Sequence, residues 1–306
     1  MYNEFFRLHA DPFRVNPDPR FLFLSESHQE ALATLVYAVR ERKGFIVLTG
    51  EVGTGKTTIL NALLGKLEPG VQVAYLFNTS LETEDFFALL LEELGLEPIE
   101  PFRKSAALRR LNAHLIDRLR KGEQTLLLVD EAQNLSVELL EEIRMLSNLE
   151  TPQSKLLQIV LVGQPELAAK LERPELRQLR QRVELRHVIR PLNGVEMSSY
   201  VRERLVTAGH ATGDVFTYSA LCAVHEHSRG IPRVANVLCD NAMLLAFARG
   251  SQMVSAQMVQ EAAKDLGLMG SRSHAEARTV RREKPQAPRG WLRRWWPARS
   301  TRTLEI

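Results

Sequence analysis

Cysteine is scarce: the 306 residues include two, Cys222 and Cys239. Two cysteines cannot build a disulfide framework, and their spacing matches no zinc-site pattern. Both fall in apolar helical patterns and are read as core residues of a protein kept in a reducing compartment. Long hydrophobic runs are missing too. No stretch reaches about 18 apolar residues, so no membrane-spanning helix is predicted. The N-terminal Met1-Tyr2-Asn3-Glu4-Phe5-Phe6-Arg7 has no basic region followed by an apolar run, so no secretory leader is predicted. No internal repeat is visible.

What is present is ordinary in amount and uneven in place. Apolar residues make up 44% and charged residues 25%, which suits a globular chain with a real core. Net charge is +3, from 40 Lys/Arg and 37 Asp/Glu. Ten of those Lys/Arg and three of the Asp/Glu lie from Ser271 onward, which leaves 30 against 34 in residues 1–270. The body is mildly acidic and the tail is basic, a pattern that fits an anionic lipid or nucleic-acid partner or simply a solvated end.

Periodicity divides the chain. Residues 1–30 are dense in Phe, Pro and Asp and are predicted as a non-helical arm, with a helix beginning near Ser25–Ser27 and ending at Gly44. Phe45–Thr49 is a continuous apolar, β-branched run, the pattern of a buried parallel strand. Further strands are predicted at Gln72–Phe77, Thr125–Val129, Leu156–Val162 and Glu184–Ile189. Helices are predicted at Lys56–Leu67, Thr83–Leu94, Ala106–Arg120 and Val137–Leu149. Alternating strands and helices predict an α/β fold with a parallel sheet covered on both faces. After Pro191–Gly194 only helices follow, at Gly194–Leu205, Thr217–His227, Pro232–Arg249 and Ser255–Leu266. The expected division is an arm plus α/β domain over 1–192, a small all-helical domain over 193–268 and a tail over 269–306. The tail has no hydrophobic periodicity and is expected to be disordered.

Gly50-Glu51-Val52-Gly53-Thr54-Gly55-Lys56-Thr57-Thr58 matches G-x-x-x-x-G-K-[ST] between a predicted strand and a predicted helix. Glycines let the backbone bend so that amides point at phosphate oxygens, and the following helix presents its positive end to the same anion. Lys56 is expected on the β- and γ-phosphates of ATP, and Thr57 on Mg²⁺. Leu126-Leu127-Leu128-Val129-Asp130-Glu131 is an apolar strand ending in two carboxylates, the Walker B arrangement. Asp130 is expected to hold Mg²⁺ and Glu131 to act as general base toward water.

Three more positions carry candidate roles. Gln164, after the fourth strand, is placed to orient water or touch the γ-phosphate, or is a plain polar turn residue. Arg182, ahead of the fifth strand, is a candidate arginine finger toward a neighbouring subunit, with Arg177 and Arg180 as alternatives in an arginine-crowded segment. Arg233 follows Pro232, which starts a helix. Positive charge in a first helical turn opposes the helix dipole, which points to an anionic partner, ATP.

In this order the motifs resemble an AAA+ ATPase: a P-loop core with a helical lid, Gln164 as its sensor 1 and Arg233 as its sensor 2. The earlier Phe5-Phe6-Arg7-Leu8, Asp11-Pro12-Phe13, Pro17-Asp18-Pro19, Phe21-Leu22, Leu24-Ser25 and His28 narrow the resemblance. So do Asp130-Glu131-Ala132-Gln133 and Leu161-Val162-Gly163-Gln164-Pro165-Glu166-Leu167. These look like the ExeA/GspA and MshM group of bacterial secretion and pilus-assembly ATPases, over roughly residues 1–268. The resemblance implies ATP hydrolysis and a homo-oligomer with nucleotide at subunit interfaces. It also implies adenine contact near Phe21–Phe23 and membrane-protein partners at the cytoplasmic face of the inner membrane. Longer members carry a membrane span and a peptidoglycan-binding domain that this sequence lacks. Short members and ATPases of exopolysaccharide export loci fit it better. Trp291, Trp295 and Trp296 among arginines in 285–306 are expected to touch anionic membrane. The alternative is a TnsC/TniB-like regulator of transposition on DNA, which the acidic body disfavours.

Overall fold

The computed structural model describes residues 2–14, 18–77, 81–152 and 154–268. The basic tail with its tryptophans, like Asn16-Pro17 and Asn78, lies outside the described residues. One turn of helix, α1 (Tyr2–Phe5), opens the chain. It corrects the expectation of a helix-free arm: the first proline is Pro12, so nothing before it breaks a helix. A 3-10 turn follows at Pro19–Phe21 and then α2 (Glu26–Arg40), N-capped by the Ser25 hydroxyl. The α/β part runs β1 (Phe45–Gly50), α3 (Lys56–Leu64), β2 (Val71–Leu76), α4 (Thr83–Glu93), α5 (Lys104–Arg120) and β3 (Gln124–Val129). It continues with α6 (Val137–Leu146), β4 (Gln158–Gly163), α7 (Pro165–Leu171), α8 (Arg177–Arg182) and β5 (Leu185–Ile189). Helix α3 ends at Leu64, three residues short of its predicted end at Leu67, and α7 and α8 are helices that the periodicity did not predict. The helical lid is α9 (Gly194–Thr207), α10 (Tyr218–Ser228), α11 (Pro232–Ala248) and α12 (Ala256–Asp265).

The five strands are all parallel, in the order β2-β3-β4-β1-β5. Strand side chains alternate between faces. Phe45, Val47, Leu127, Val129, Ile159 and Leu161 pack under α4–α8 on one face. Ile46, Leu48, Leu126, Leu128, Val160 and Val162 pack under α2 and α3 on the other. Burial on both faces is why these strands carry no polar alternation. The shared parallel direction brings every strand's C-terminal end to one edge, where the motifs lie.

The lid has its own core, and the N-terminal arm completes it. Phe6, Leu8, Phe13 and Phe21 are buried with Met197, Leu205, Leu238 and Met243. Phe5 stacks edge-on against Phe247 at 5.4 Å and Phe13 against Phe216 at 6.1 Å. Burying one such side chain contributes about 1.5–3 kcal/mol, so Phe6, Leu8, Phe13 and Phe21 together bind the arm strongly. Arg204 of α9, 8% exposed, reaches into the same contact. Its guanidinium donates to the Pro12 and Arg14 carbonyls and to the Tyr200 hydroxyl, and lies 4.8 Å from the Phe21 ring centroid. Cys239 is buried in α11, but Cys222 is exposed on α10. That corrects its reading as a core residue: the buried face of α10 carries Ala220, Ala223, Val224 and Ser228, and Cys222 falls off it. Among the described residues no helix is long and apolar enough to cross a membrane.

Candidate functional site

β1 runs out at Gly50 and the chain turns through five residues before α3 begins at Lys56. Gly53 (φ 80°) and Gly55 (φ 95°) take left-handed backbone, a region that costs other residues about 1–3 kcal/mol. Space forbids a side chain there as well. A Cβ on Gly53 would lie 2.6 Å from the Arg233 Cβ, and one on Gly55 would lie 3.0 Å from His28 Nε2. No side chain caps α3 at Gly55. Its first-turn N–H groups have no intrahelical partner, and with the helix dipole they form a seat for an anion.

Lys56 is buried, and its Nζ donates to the Gly50 and Glu51 carbonyls at 2.8 and 3.0 Å. Burial lowers its pKa, opposed by the charges of Glu131 and Asp130. A buried cation resting on neutral carbonyls beside a helix N-terminus fits a polyphosphate. Thr57 Oγ1 donates to Asp130 Oδ2 at 3.2 Å, and the Tyr75 hydroxyl donates to the same oxygen at 3.2 Å. The Glu131 N–H donates to Asp130 Oδ1 at 2.8 Å. Burial, then the Asp130 carboxylate, pushes the Tyr75 phenol up to about 12, so it stays a donor at neutral pH. Hydroxyl and carboxylate oxygens side by side suit a hard divalent cation. Among the described residues no group of three or more His, Cys, Asp or Glu could hold a metal. That set of donors suits Mg²⁺, which takes one or two protein oxygens and fills its shell from phosphate and water.

β4 lies between β1 and β3, so the ends of β3 and β4 converge beside the loop. Glu131 follows β3 in left-handed backbone (φ 52°), a strained state for a residue with a side chain. Its Oε2 accepts from Gln133 Nε2 at 2.6 Å and from Gln164 Nε2 at 3.1 Å. Gln133 Oε1 accepts the Gln164 N–H at 3.0 Å. The Gln133 bond is the main cause of a lowered Glu131 pKa; burial opposes it, and the Gln164 bond and the Lys56 charge add to it. Lys170 Nζ donates to the Gln133 and Leu135 carbonyls at 2.5 and 2.7 Å, which pins this turn.

Arg233 comes to the loop from the lid. Its N–H donates to the Gly53 carbonyl at 3.3 Å, and its side chain is exposed in the first turn of α11. Arg182 stands elsewhere. Gly50 pairs with Ile189 at one end of β5, while the Glu184 N–H bonds the Phe45 carbonyl at the other. Arg182 therefore lies beyond the far end of a strand about 17 Å long, away from its own phosphate loop. Arg180 is paired with Glu172, and Arg177 is exposed. Near the lid, Phe21 is buried in the lid core, Leu22 is exposed, and Phe23 stacks on Tyr200 at 5.5 Å.

Gln133, Tyr75, Lys170 and His28 were not expected at the site. Tyr75 reaches Asp130 because β2 pairs with β3, and nothing local in the sequence marks that pairing. Gln133 had one signal, its place two residues after Glu131, where a 3-10 turn at Ala132–Asn134 folds it back.

A protein-family model described as an AAA domain matches residues 39–171. The chain is 45% identical over 258 residues to general secretion pathway protein A of Aeromonas hydrophila, a match that covers 83% of this chain and 46% of that protein. It thus spans about half the length of that curated relative. Solved structures share the fold at low identity. The ORC2 protein of Aeropyrum pernix, in ADPNP and ADP complexes, has a TM-score of 0.60 at 17% identity over 84% of this chain and 72% of its own. The corresponding values for Cdc6p of Pyrobaculum aerophilum are 0.62, 18%, 82% and 71%. The chain is a GspA/ExeA-like AAA-domain protein with the P-loop nucleoside-triphosphatase fold.

Proposed function

We propose that this protein binds and hydrolyses ATP with Mg²⁺. The observation that carries the proposal is the convergence of Lys56, Thr57 and Asp130 with a Glu131 carboxylate held by two glutamine amides. The amides of Gly50–Thr58 and the Lys56 ammonium bind the β- and γ-phosphates. Thr57 and Asp130 hold the metal, which when bound neutralises charge on those phosphates. Glu131 accepts the proton of the attacking water, and Gln133 and Gln164 keep its carboxylate aimed and ionised. Arg233 approaches from the lid, and Arg182 serves the site of a neighbouring copy, so the protein acts as a homo-oligomer. Residues 1–192 form the nucleotide-binding part and 193–268 the lid, with the arm strapping one to the other.

In the cell the protein assists assembly of a secretion, pilus or exopolysaccharide export system at the cytoplasmic face of the inner membrane. The likeness to general secretion pathway protein A supports it. Glu131→Gln tests the chemistry: ATP binding should persist while turnover falls at least about a hundredfold. Unchanged turnover overturns the assignment.

A further inference from the structure

The first turn of α2 touches three parts of the protein at once. Ser25 Oγ lies 2.6 Å from His28 Nδ1, and His28 Nε2 lies 2.7 Å from the Thr54 carbonyl oxygen inside the phosphate loop. A carbonyl only accepts, so Nε2 carries the proton. On the neutral ring Nδ1 then accepts from the Ser25 hydroxyl. His28 is 4% exposed, and its burial depresses the ring pKa, which favours that neutral form. The neighbouring residues tie the same turn to the start of the lid. Ser27 Oγ accepts from the Arg190 N–H at 3.0 Å, and the Glu26 N–H donates to Glu196 Oε1 at 3.2 Å. Glu196 in turn closes the capping box of α9 on Asn193.

The bond to Thr54 has a geometric consequence. In a trans peptide the C=O and the next N–H point in opposite directions. With the Thr54 oxygen turned onto His28, the Gly55 N–H faces away from α2. Gly55 (φ 95°) leaves no room for a Cβ against the ring, so loop and imidazole are in close contact.

We propose that His28 is a positioning residue for the phosphate loop: its Nε2–H holds the Thr54 carbonyl so that the Gly55 amide faces a bound phosphate. His28 acts through the backbone and does not touch the nucleotide. The inference rests on the nucleotide reading of the site.

The test is an equilibrium titration of the full chain with a fluorescent ADP in the presence of Mg²⁺, with thermal melting of the nucleotide-free protein alongside. His28→Gln keeps an N–H donor near the Nε2 position. His28→Asn keeps one only near Nδ1, and His28→Leu keeps none. The expected result is affinity about tenfold weaker for Leu and Asn. Gln should remain within about threefold of the unaltered chain, and the melting curves show that each titrated variant is folded at the temperature of the titration. Equal affinity of the Leu variant and the unaltered chain overturns the proposal. So does a Gln variant as weak as the Asn variant, a comparison that still decides if the Leu variant does not fold. Lys56→Ala separates the two levels. If the unaltered chain shows no Lys56-dependent binding, the nucleotide reading fails and takes this inference with it. Lys56-dependent binding indifferent to position 28 sinks the inference alone.

Discussion

The Cβ of Arg233 lies 2.6 Å from where a Cβ on Gly53 would stand, so phosphate loop and lid helix meet with no side chain between them. Gly53→Ala adds a methyl group at that contact and forces alanine to φ 80°. The expected cost is about 1–3 kcal/mol, and the lid must move off the loop. Melting temperature should fall, and ADP should bind more weakly than to the unaltered chain. Unaltered nucleotide affinity would show that the loop–lid contact is not part of the site.

Gln133→Ala removes the donor that contributes most to the lowered pKa of Glu131. A general base works only when ionised, so turnover falls as pH drops through its pKa. In the unaltered chain that acid limb lies below the ordinary carboxylate value of 4.5. Losing the Gln133 bond raises the pKa and moves the limb toward neutrality. A pH–rate profile reads the shift; an unmoved limb argues against Glu131 as the base.

Arg204→Leu leaves the buried Pro12 carbonyl without its donor, while the Tyr200 hydroxyl keeps its bond to Asn236. The expected loss is about 1–3 kcal/mol in urea denaturation, the cost of one orphaned buried group. The arm should also come loose from the lid core, so trypsin should cut faster after Arg7 and Arg14. Unchanged cleavage would mean that Phe6, Leu8, Phe13 and Phe21 hold the arm without Arg204.

Arg182→Ala should reduce turnover by about a thousandfold where subunits meet, the scale of a lost arginine finger. Because Arg182 lies far from its own loop, mixing this variant with a Lys56→Ala chain should restore activity at sites that pair an intact loop with an intact arginine. An inactive mixture of the two chains rules out a finger acting in trans from this position.

Much of this molecule follows from local pattern. Strands apolar on both faces, such as Phe45–Thr49 and Leu126–Val129, admit only a covered parallel sheet, and the glycine spacing of Gly50–Gly55 admits only a tight turn into a helix. Those patterns depend on neighbours a few residues apart, which is why Lys56, Thr57, Asp130 and Glu131 stand out as candidates from the chain alone. Partnership across the fold depends on something else. Helical periodicity says which face is apolar but not what covers it, because apolar burial has no direction. The arm's aromatic residues looked like a loop ahead of the α/β domain and turned out to complete the lid core. Cys222 looked like core and is exposed. The strand order decided the rest: β4 between β1 and β3 brings Gln164 onto Glu131, and β2 beside β3 brings Tyr75 onto Asp130. A single histidine bond from α2 to the phosphate loop joins residues 26 positions apart, and only packing of that helix against the loop could set it.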